Sequence, residues 1–285
     1  MTPTRLYILT LFAMTAFAGN SLLCRLALKQ TGIDAASFTS IRIVSGAIAL
    51  WLIVSVRKGT WRNAGNWPAA LALFVYASAF SFAYVSLSAG TGALLLFSAV
   101  QATMIGWGLR KGEHLRPQQW LGLTFALGGL VALLFPGLSA PPMLGSILML
   151  SAGIAWGVYS LRGKASGDPI SATTGNFLRA VPLAAVLSIA LLPSVRIDSA
   201  GIGYAILSGA IASGVGYAIW YTVLPRLKAA PAAAVQLSVP VLAAGGGILL
   251  LGEPITLRFV LASVAILGGI AFVVVEKPRA FAPVE

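Results

Sequence analysis

The sequence predicts an all-α integral membrane protein in which ten transmembrane helices form two inverted five-helix repeats. Three observations lead to this prediction. Of the 285 residues, 58% are hydrophobic and 9% are charged, against roughly 25% charged in ordinary soluble domains. Ten apolar stretches are long enough to cross a bilayer, for which about 20 residues suffice. The two halves of the chain also share a spaced set of glycine, glutamate and aromatic residues.

The ten apolar stretches follow one another with short connections, so neighbouring helices are expected to run antiparallel. The predicted spans are 6–28, 35–56, 68–88, 91–109, 118–136, 143–161, 172–192, 200–222, 231–251 and 256–275. Arg5 and the triplet Ala16-Phe17-Ala18 imitate a cleavable signal peptide. A spanning helix is favoured there, because cleavage would leave the first repeat one helix short.

The basic residues indicate how the spans are oriented. Thirteen lysines and arginines fall on one side and four on the other. The thirteen are Arg5, Arg57, Lys58, Arg62, Arg110, Lys111, Arg116, Arg162, Lys164, Arg226, Lys228, Lys277 and Arg279. By the positive-inside rule, both termini are expected in the cytoplasm.

Several functional classes are disfavoured by composition. The net charge of +12 is scattered between apolar runs rather than clustered, which argues against nucleic-acid binding. Cys24 is the only cysteine and His114 the only histidine, so neither an internal disulfide nor a Cys/His metal cluster is expected. We expect no catalytic residues and no cofactor. A membrane-embedded enzyme and a channel remain distant alternatives, since neither a Walker A loop nor a ring of charges is present.

The repeat is clearest at two Gly-Glu corners. At an offset of 140 residues, GEHLRPQQWLGLTFALGGLVAL (112–133) falls on GEPITLRFVLASVAILGGIAFV (252–273). Earlier in each half an offset of 137 sets Arg42 on Arg179. The first repeat is therefore placed at 1–140 and the second at 141–285. Because five helices is an odd number, the second repeat must enter the membrane from the opposite side, as in many secondary transporters.

The two corner glutamates, Glu113 and Glu253, each stand just before a helix. A carboxylate there can accept hydrogen bonds from free backbone amides and oppose the helix dipole. Helix capping is favoured over a role in gating or substrate contact. Inversion places the two glutamates on opposite faces of the membrane.

The segment AVQLSVPVLAAGGGILLLGEPITLRFVLASVAILGGIAFVV (234–274) resembles the drug/metabolite transporter superfamily, specifically its EamA-type ten-helix members. Within these, the chain resembles the YddG-type aromatic amino-acid exporters. The resemblance implies a secondary transporter that exports aromatic and other neutral amino acids across the bacterial inner membrane by alternating access. The nearest alternative is a multidrug or nucleobase-type exporter of the same fold.

In inverted-repeat transporters the substrate binds near the midplane between the repeats. An aromatic stripe recurs there at helical spacing in both halves, with Tyr76, Phe80 and Tyr84 matched by Tyr217 and Tyr221. Helix packing is the alternative explanation of such a stripe. The candidate substrate-binding residues are Asn20, Tyr76, Phe80, Tyr84, Gln101, Trp156, Tyr159, Tyr217, Tyr221, Gln236 and Ser238.

Other residues suggest bending and anchoring. Pro240 is expected to kink the ninth span, because a proline has no amide to bond to the carbonyl four residues earlier. Gly214 and Gly216 are candidate hinges, with close helix packing as the favoured alternative. Arg42 and Arg179 lie near the starts of their spans, where a long side chain is expected to snorkel to the headgroups, with binding of a substrate carboxylate as the less favoured alternative.

All seven acidic residues fall in loops, at span ends or in the tail. Proton and sodium coupling commonly use buried carboxylates or histidine, so passive, gradient-driven transport is expected, with coupling by some other device as the alternative. The expected partners are a small-molecule substrate and the lipid bilayer. The sequence leaves the oligomeric state open, a monomer included.

Overall fold

A computed structural model describes residues 1–62, 64–112, 114–137, 139–163, 168–227 and 234–274. Within these ranges, ten helices are long and apolar enough to cross a membrane. Their bounds are α1 Pro3–Gln30, α2 Ala35–Val56, α3 Trp67–Tyr84, α4 Ala89–Arg110, α5 Pro117–Leu134, α6 Met143–Gly163, α7 Pro169–Ala190, α8 Ser199–Arg226, α9 Ala234–Leu251 and α10 Leu257–Val274. The prediction of ten spanning helices is confirmed; of the predicted spans, residues 231–233 and 275 lie outside the described part of the chain.

Most helices begin at a side chain that accepts a hydrogen bond from the free amides of the first turn. Asp34 Oδ1 accepts from the amides of Ala36 and Ser37, both at 2.9 Å. Comparable caps are formed by Thr2, Asn66, Ser88, Asp168, Asp198 and Thr256. Three of the acidic residues therefore start helices at the ends of the bundle. We call the end where α2, α4, α6 and α8 finish the basic end, and the opposite one the far end.

The helix contacts obey the two-fold relation of an inverted repeat. Each helix of one repeat corresponds to the helix five places away in the other. The α3–α6 contact corresponds to α1–α8, α4–α6 to α1–α9, and α2–α8 to α3–α7. All six contacts exist. The α2–α7, α4–α9 and α5–α10 contacts map onto themselves. The protein is thus built from two five-helix repeats of opposite orientation.

α5 and α10 form a closely packed pair at the side of the bundle and touch the other helices mainly through α4. A Cβ on Gly129 would lie 2.8 Å from Ala265 Cβ, and one on Gly122 would lie 2.6 Å from the Gly269 carbonyl oxygen. In each recurring Gly-Gly pair, the second glycine lies in this interface, whereas the first meets nothing within 4 Å. The repeated glycines therefore serve close helix packing.

The repeats are not identical in their packing. α2 packs more extensively on α8 than the equivalent α7 packs on α3. The two equivalent contacts between the repeats, α2–α8 and α3–α7, therefore differ in extent.

Candidate substrate site

Five helices enclose a small cavity between the repeats, with α1, α3 and α4 on one side and α6 and α8 on the other. Its lining consists of Phe17, Asn20, Tyr76, Phe80, Leu96, Phe97, Trp156 and Tyr217. The centre of a water molecule can occupy ≈ 20 Å³ within it, which is about the room that one water needs. The cavity is therefore closed in this conformation, with space for no metabolite.

Trp156 is the centre of the cavity's aromatic wall. Its ring centroid lies 4.8 Å from that of Tyr76 and 5.0 Å from that of Tyr217. The Tyr76 and Phe80 centroids are 5.5 Å apart. These separations fall in the range that aromatic pairs prefer. Rings from both repeats thus form one continuous apolar surface on which a flat or aliphatic group could stack.

A hydrogen-bond network runs along one edge of this wall. Asn20 Nδ2 donates to the Tyr76 hydroxyl at 3.2 Å, and the Ser208 hydroxyl donates to Asn20 Oδ1 at 2.6 Å. The Tyr76 hydroxyl also accepts from Arg42 Nη2 at 2.9 Å. The network joins α1, α2, α3 and α8, and it places an amide, a phenol and a guanidinium beside an otherwise apolar cavity.

Arg42 is enclosed by the bundle, and the prediction that it snorkels to the headgroups is wrong. Arg42 is 2% exposed. The guanidinium carbon lies 5.1 Å from the Tyr76 ring centroid and 4.8 Å from the Phe80 ring centroid, a favourable arrangement for a cation. Nε donates to the Ser213 hydroxyl at 3.4 Å, and Nη1 has no hydrogen-bond partner among the described residues. The turn of α2 that carries Arg42 faces other helices, so the side chain has no route to the lipid.

Arg179, the equivalent residue of the second repeat, points to the basic end. Its Nη1 donates to the carbonyl oxygens of Ala64, at 2.7 Å, and Gly175, at 2.9 Å. Ala64 belongs to the connection between α2 and α3. The side chain extends toward the membrane surface as predicted, but it ends on backbone carbonyls rather than on lipid headgroups.

Part of α8 adopts a π-helix, over Leu207–Val215, and this segment supports the polar edge of the cavity. It supplies Ser208, which holds Asn20, and Ser213, which accepts from Arg42. Short π segments inside α-helices occur frequently at functional sites. Of the two predicted hinge positions, Gly214 lies in the π segment, whereas Gly216 begins the regular α-helix that follows it.

Five of the predicted binding residues line the cavity, namely Asn20, Tyr76, Phe80, Trp156 and Tyr217. The other six do not: Tyr84, Gln101, Tyr159, Tyr221, Gln236 and Ser238. The hydroxyl of Tyr84 donates to the Ala89 carbonyl at 3.3 Å, toward the far end. The hydroxyl of Tyr159 donates to Thr173 at 3.2 Å, toward the basic end. A stripe at four-residue spacing advances about 6 Å along the helix per step, so its ends leave a small cavity.

A cluster that we call the far-end latch closes the bundle at that end. Arg25 Nε donates to Glu253 Oε1 at 3.0 Å, and its Nη1 donates to the carbonyls of Tyr84 and Val85 at 2.9 and 3.0 Å. Glu253 Oε2 accepts from the amide of Ala89 at 2.8 Å. The side chains of the ion pair are 12% and 7% exposed. The latch joins α1 to the α3–α4 and α9–α10 connections.

The two glutamates predicted to cap helices have different outcomes. Glu113 lies outside the described residues. Glu253 caps a helix, but that helix is α4 and not α10, which follows it. Thr256 takes the expected place, because its Oγ1 accepts from the amide of Phe259 at 3.1 Å. Gly252 ends α9 in a left-handed conformation, with φ 60°, and this turn directs Glu253 toward α4.

α9 is interrupted near its start. Its regular α-helix covers Ser238–Leu251, and Leu237 breaks the pattern. Pro240 has no amide to offer to the carbonyl of Gln236. The interruption therefore lies within the turn that Pro240 weakens, where the kink was predicted.

The sequence-based list missed six residues that line or support the cavity: Phe17, Arg42, Leu96, Phe97, Ser208 and Ser213. A signal existed for two of them. Phe17 precedes Asn20 by three residues and Phe97 precedes Gln101 by four, so each shares a helical face with a predicted residue. Ser208 and Ser213 carried no such signal, since a π segment changes which residues share a face.

Comparison with known proteins identifies the family. The model of the EamA-like transporter family matches residues 4–135 and 143–275, once in each repeat. The chain belongs to this family. It is 56% identical over 278 residues to an uncharacterized protein of Pseudomonas aeruginosa, covering 97% of both chains.

Two further comparisons concern a named exporter and a solved structure. The threonine/homoserine exporter RhtA of Salmonella typhimurium is 32% identical over 160 residues, or 53% of each chain. A solved crystal structure matches with a TM-score of 0.67 at 20% identity, covering 93% of this chain and 97% of that one. That similarity concerns the fold alone. The EamA-like chain is therefore a multi-pass membrane transporter.

Proposed function

We propose that this EamA-like transporter exports aromatic and other neutral amino acids from the cytoplasm by alternating access. The observation that carries the proposal is the cavity between the repeats, in which Trp156 and Tyr217 of one repeat face Tyr76 and Phe80 of the other. An aromatic or aliphatic side chain could stack on these rings. Asn20 and the Tyr76 hydroxyl lie at the wall's edge, where the polar groups of an amino acid need hydrogen bonds.

The relatives support the amino-acid class. RhtA is named for the export of threonine and homoserine, which are neutral amino acids. The aromatic wall of the present chain extends the expectation to phenylalanine, tyrosine and tryptophan. An apolar enclosed wall discriminates weakly between side chains, so one carrier would accept several neutral amino acids.

Transport requires the repeats to separate, because the cavity holds ≈ 20 Å³ and an amino acid needs far more. The π segment of α8 and the interrupted start of α9 are the places where the helices can bend. We propose that the basic end faces the cytoplasm of the bacterial inner membrane and that the far-end latch opens outward. Among the described residues, no carboxylate lies at mid-depth, which supports passive rather than proton-coupled transport.

The test is counterflow of radiolabelled phenylalanine in proteoliposomes that contain the purified protein. Unlabelled threonine and methyl viologen serve as competitors. Saturable exchange that threonine inhibits and methyl viologen does not is the expected result. Inhibition by methyl viologen alone would instead identify a multidrug exporter, and the absence of exchange would refute the amino-acid proposal.

Trp156→Ala and Trp120→Ala form a matched pair for this assay. Trp156 is 8% exposed and lines the cavity, whereas Trp120 is 52% exposed on α5. Loss of a stacking platform weakens binding by roughly 10-fold. We therefore expect a higher half-saturating concentration for Trp156→Ala and an unchanged one for Trp120→Ala. Equal effects of the two changes would contradict a binding role for the aromatic wall.

A further inference from the structure

We propose that Arg42 binds the carboxylate of the transported substrate. The inference rests on the proposed function for the location of the site, and it adds the chemical group that substrates must carry. It starts from a physical difficulty. A guanidinium is always charged, and a charge buried within a membrane protein is normally paired or functional.

The partners of Arg42 are all neutral. They are the hydroxyls of Tyr76 and Ser213 and the ring faces of Tyr76 and Phe80. Nη1, although 98% of the residue is buried, has no partner among the described residues. The protein thus offers an unused N–H donor on a cation, inside the bundle and next to the cavity wall.

Two carboxylates at the far end, where α2 begins, are already engaged. Glu253 is occupied by Arg25 and by the amide of Ala89. Asp34 accepts from the amides of Ala36 and Ser37 and from the amide of Arg196. The single ion pair found in the described ranges is that of the far-end latch. Within the part of the chain that the structure describes, no ion pair involves Arg42, and we infer that the substrate supplies the counter-ion because it enters this region.

The position of Arg42 suits this role. Its guanidinium packs against Tyr76 and Phe80, and both rings line the cavity. A ring shift during opening would bring the guanidinium fork to the cavity surface. The fork can bind a carboxylate through two parallel hydrogen bonds, while the substrate side chain stacks on Trp156. The same positive charge repels cationic ligands.

The first experiment compares ligands that differ only in the charged group. Purified protein in detergent is titrated with phenylalanine, with 3-phenylpropanoate, which lacks the amine, and with 2-phenylethylamine, which lacks the carboxylate. Thermal unfolding reports binding. We expect stabilisation by the two carboxylates and none by the amine. The inference would be overturned if the amine stabilised the protein as much as the carboxylates do. It would also be overturned if none of the three ligands stabilised the protein.

The second experiment uses the equivalent arginines as a matched pair. Arg42→Gln is expected to raise the half-saturating phenylalanine concentration roughly 30-fold or more, as for loss of one partner of a buried charge pair. Arg42→Lys keeps the charge but lacks the guanidinium fork, so its half-saturating concentration is expected to lie between those of the wild type and Arg42→Gln. Arg179→Gln leaves the half-saturating concentration unchanged. Equal affinity in wild type and folded Arg42→Gln, judged by size-exclusion chromatography, would refute the role of Arg42.

The two proposals can fail separately. If 3-phenylpropanoate stabilises the protein and no amino acid is exchanged, the amino-acid assignment fails while carboxylate recognition stands. If phenylalanine is exchanged and Arg42→Gln and Arg42→Lys retain wild-type affinity, the export function stands and the carboxylate site lies elsewhere.

Discussion

Arg42 and Arg179 occupy equivalent places in the two repeats and meet opposite surroundings. Arg179 donates to two backbone carbonyls at the basic end, which satisfies its charge within the protein. Arg42 is held by hydroxyls and ring faces in the interior, and one of its nitrogens has no hydrogen-bond partner among the residues that the structure describes. In an inverted repeat, equivalent positions can thus serve structure in one half and remain available for a ligand in the other.

Glycines beside the two arginines contribute to the difference. A Cβ on Gly209 of the π segment would collide with the carbonyl oxygen of Arg42, and one on Gly175 of α7 would collide with the carbonyl oxygen of Ala64. Each glycine allows a backbone to approach the neighbourhood of one arginine. The close approach in the first case brings α8 against α2 and encloses Arg42.

The largest expected effect is that of Gly209→Ala. The added methyl group meets backbone, which cannot move aside, so we expect a loss of about 3 kcal/mol or more in stability. Gly203→Ala, in the same helix, is the control, because a Cβ at that position meets nothing within 4 Å. Thermal unfolding in detergent measures both. A Gly209→Ala protein as stable as Gly203→Ala would show that α2 and α8 do not depend on this contact.

The far-end latch provides the next test, because its buried arginine, Arg25, forms an ion pair with Glu253. Arg25→Gln or Glu253→Gln alone leaves one buried charge, and each is expected to cost about 3 kcal/mol of stability. The double change removes both charges and is expected to cost less than the sum. Strictly additive losses in this double-mutant cycle would contradict direct coupling.

Arg179→Gln comes third. It removes charged hydrogen bonds to two carbonyls, for an expected loss of about 2 kcal/mol, with transport affinity unchanged. Arg42→Gln should show the reverse, a loss of affinity with little or no loss of stability, since it relieves an uncompensated buried charge. If Arg42→Gln destabilised the protein more than Arg179→Gln, the contrast between the two residues would be lost.

The smallest effect concerns pH. Burial raises the pKa of Asp34, but hydrogen bonds from Ser37, Ala36 and the Arg196 amide lower it by a larger amount. The pKa therefore lies below its ordinary value of 3.8. A lowered folded-state pKa contributes stability that is present above the unfolded value and lost as the pH falls through the folded one. Asp34→Asn should therefore reduce the loss of stability between about pH 5 and pH 3.

Asp168 gives the matching measurement in the second repeat. It caps α7 as Asp34 caps α2, and hydrogen bonds from Ser171 and Ile170 outweigh burial and lower the pKa of its carboxyl. Asp168→Asn is expected to change the acid limb of the stability profile to a similar extent. A large difference between the two variants would show that the caps, like the arginines, have diverged.

Much of the site could be predicted from the chain alone. Tyr76, Phe80 and Tyr217 were predicted from the recurring aromatic stripe, and Asn20 and Trp156 from polar and aromatic residues on the related first and sixth spans; all five line the cavity. Arg42 was misassigned, because its depth was estimated from the start of the span. Depth limits how far a side chain must reach, but the direction in which it points depends on neighbouring helices. Tyr84 and Tyr221 do not line the cavity of this conformation, because the stripe is longer than the cavity.

The sequence by itself determined the ten helices, the inverted repeat and the family, because hydropathy, odd helix number and recurring glycines act through local and periodic rules. Tertiary structure alone decided which helix Glu253 caps, where α8 becomes a π-helix and which arginine is left with a free donor. These outcomes depend on distances between segments far apart in the chain. A buried charge acquires its role from the partners that the fold brings to it, and the partners of Arg42 come from two other helices, α3 and α8.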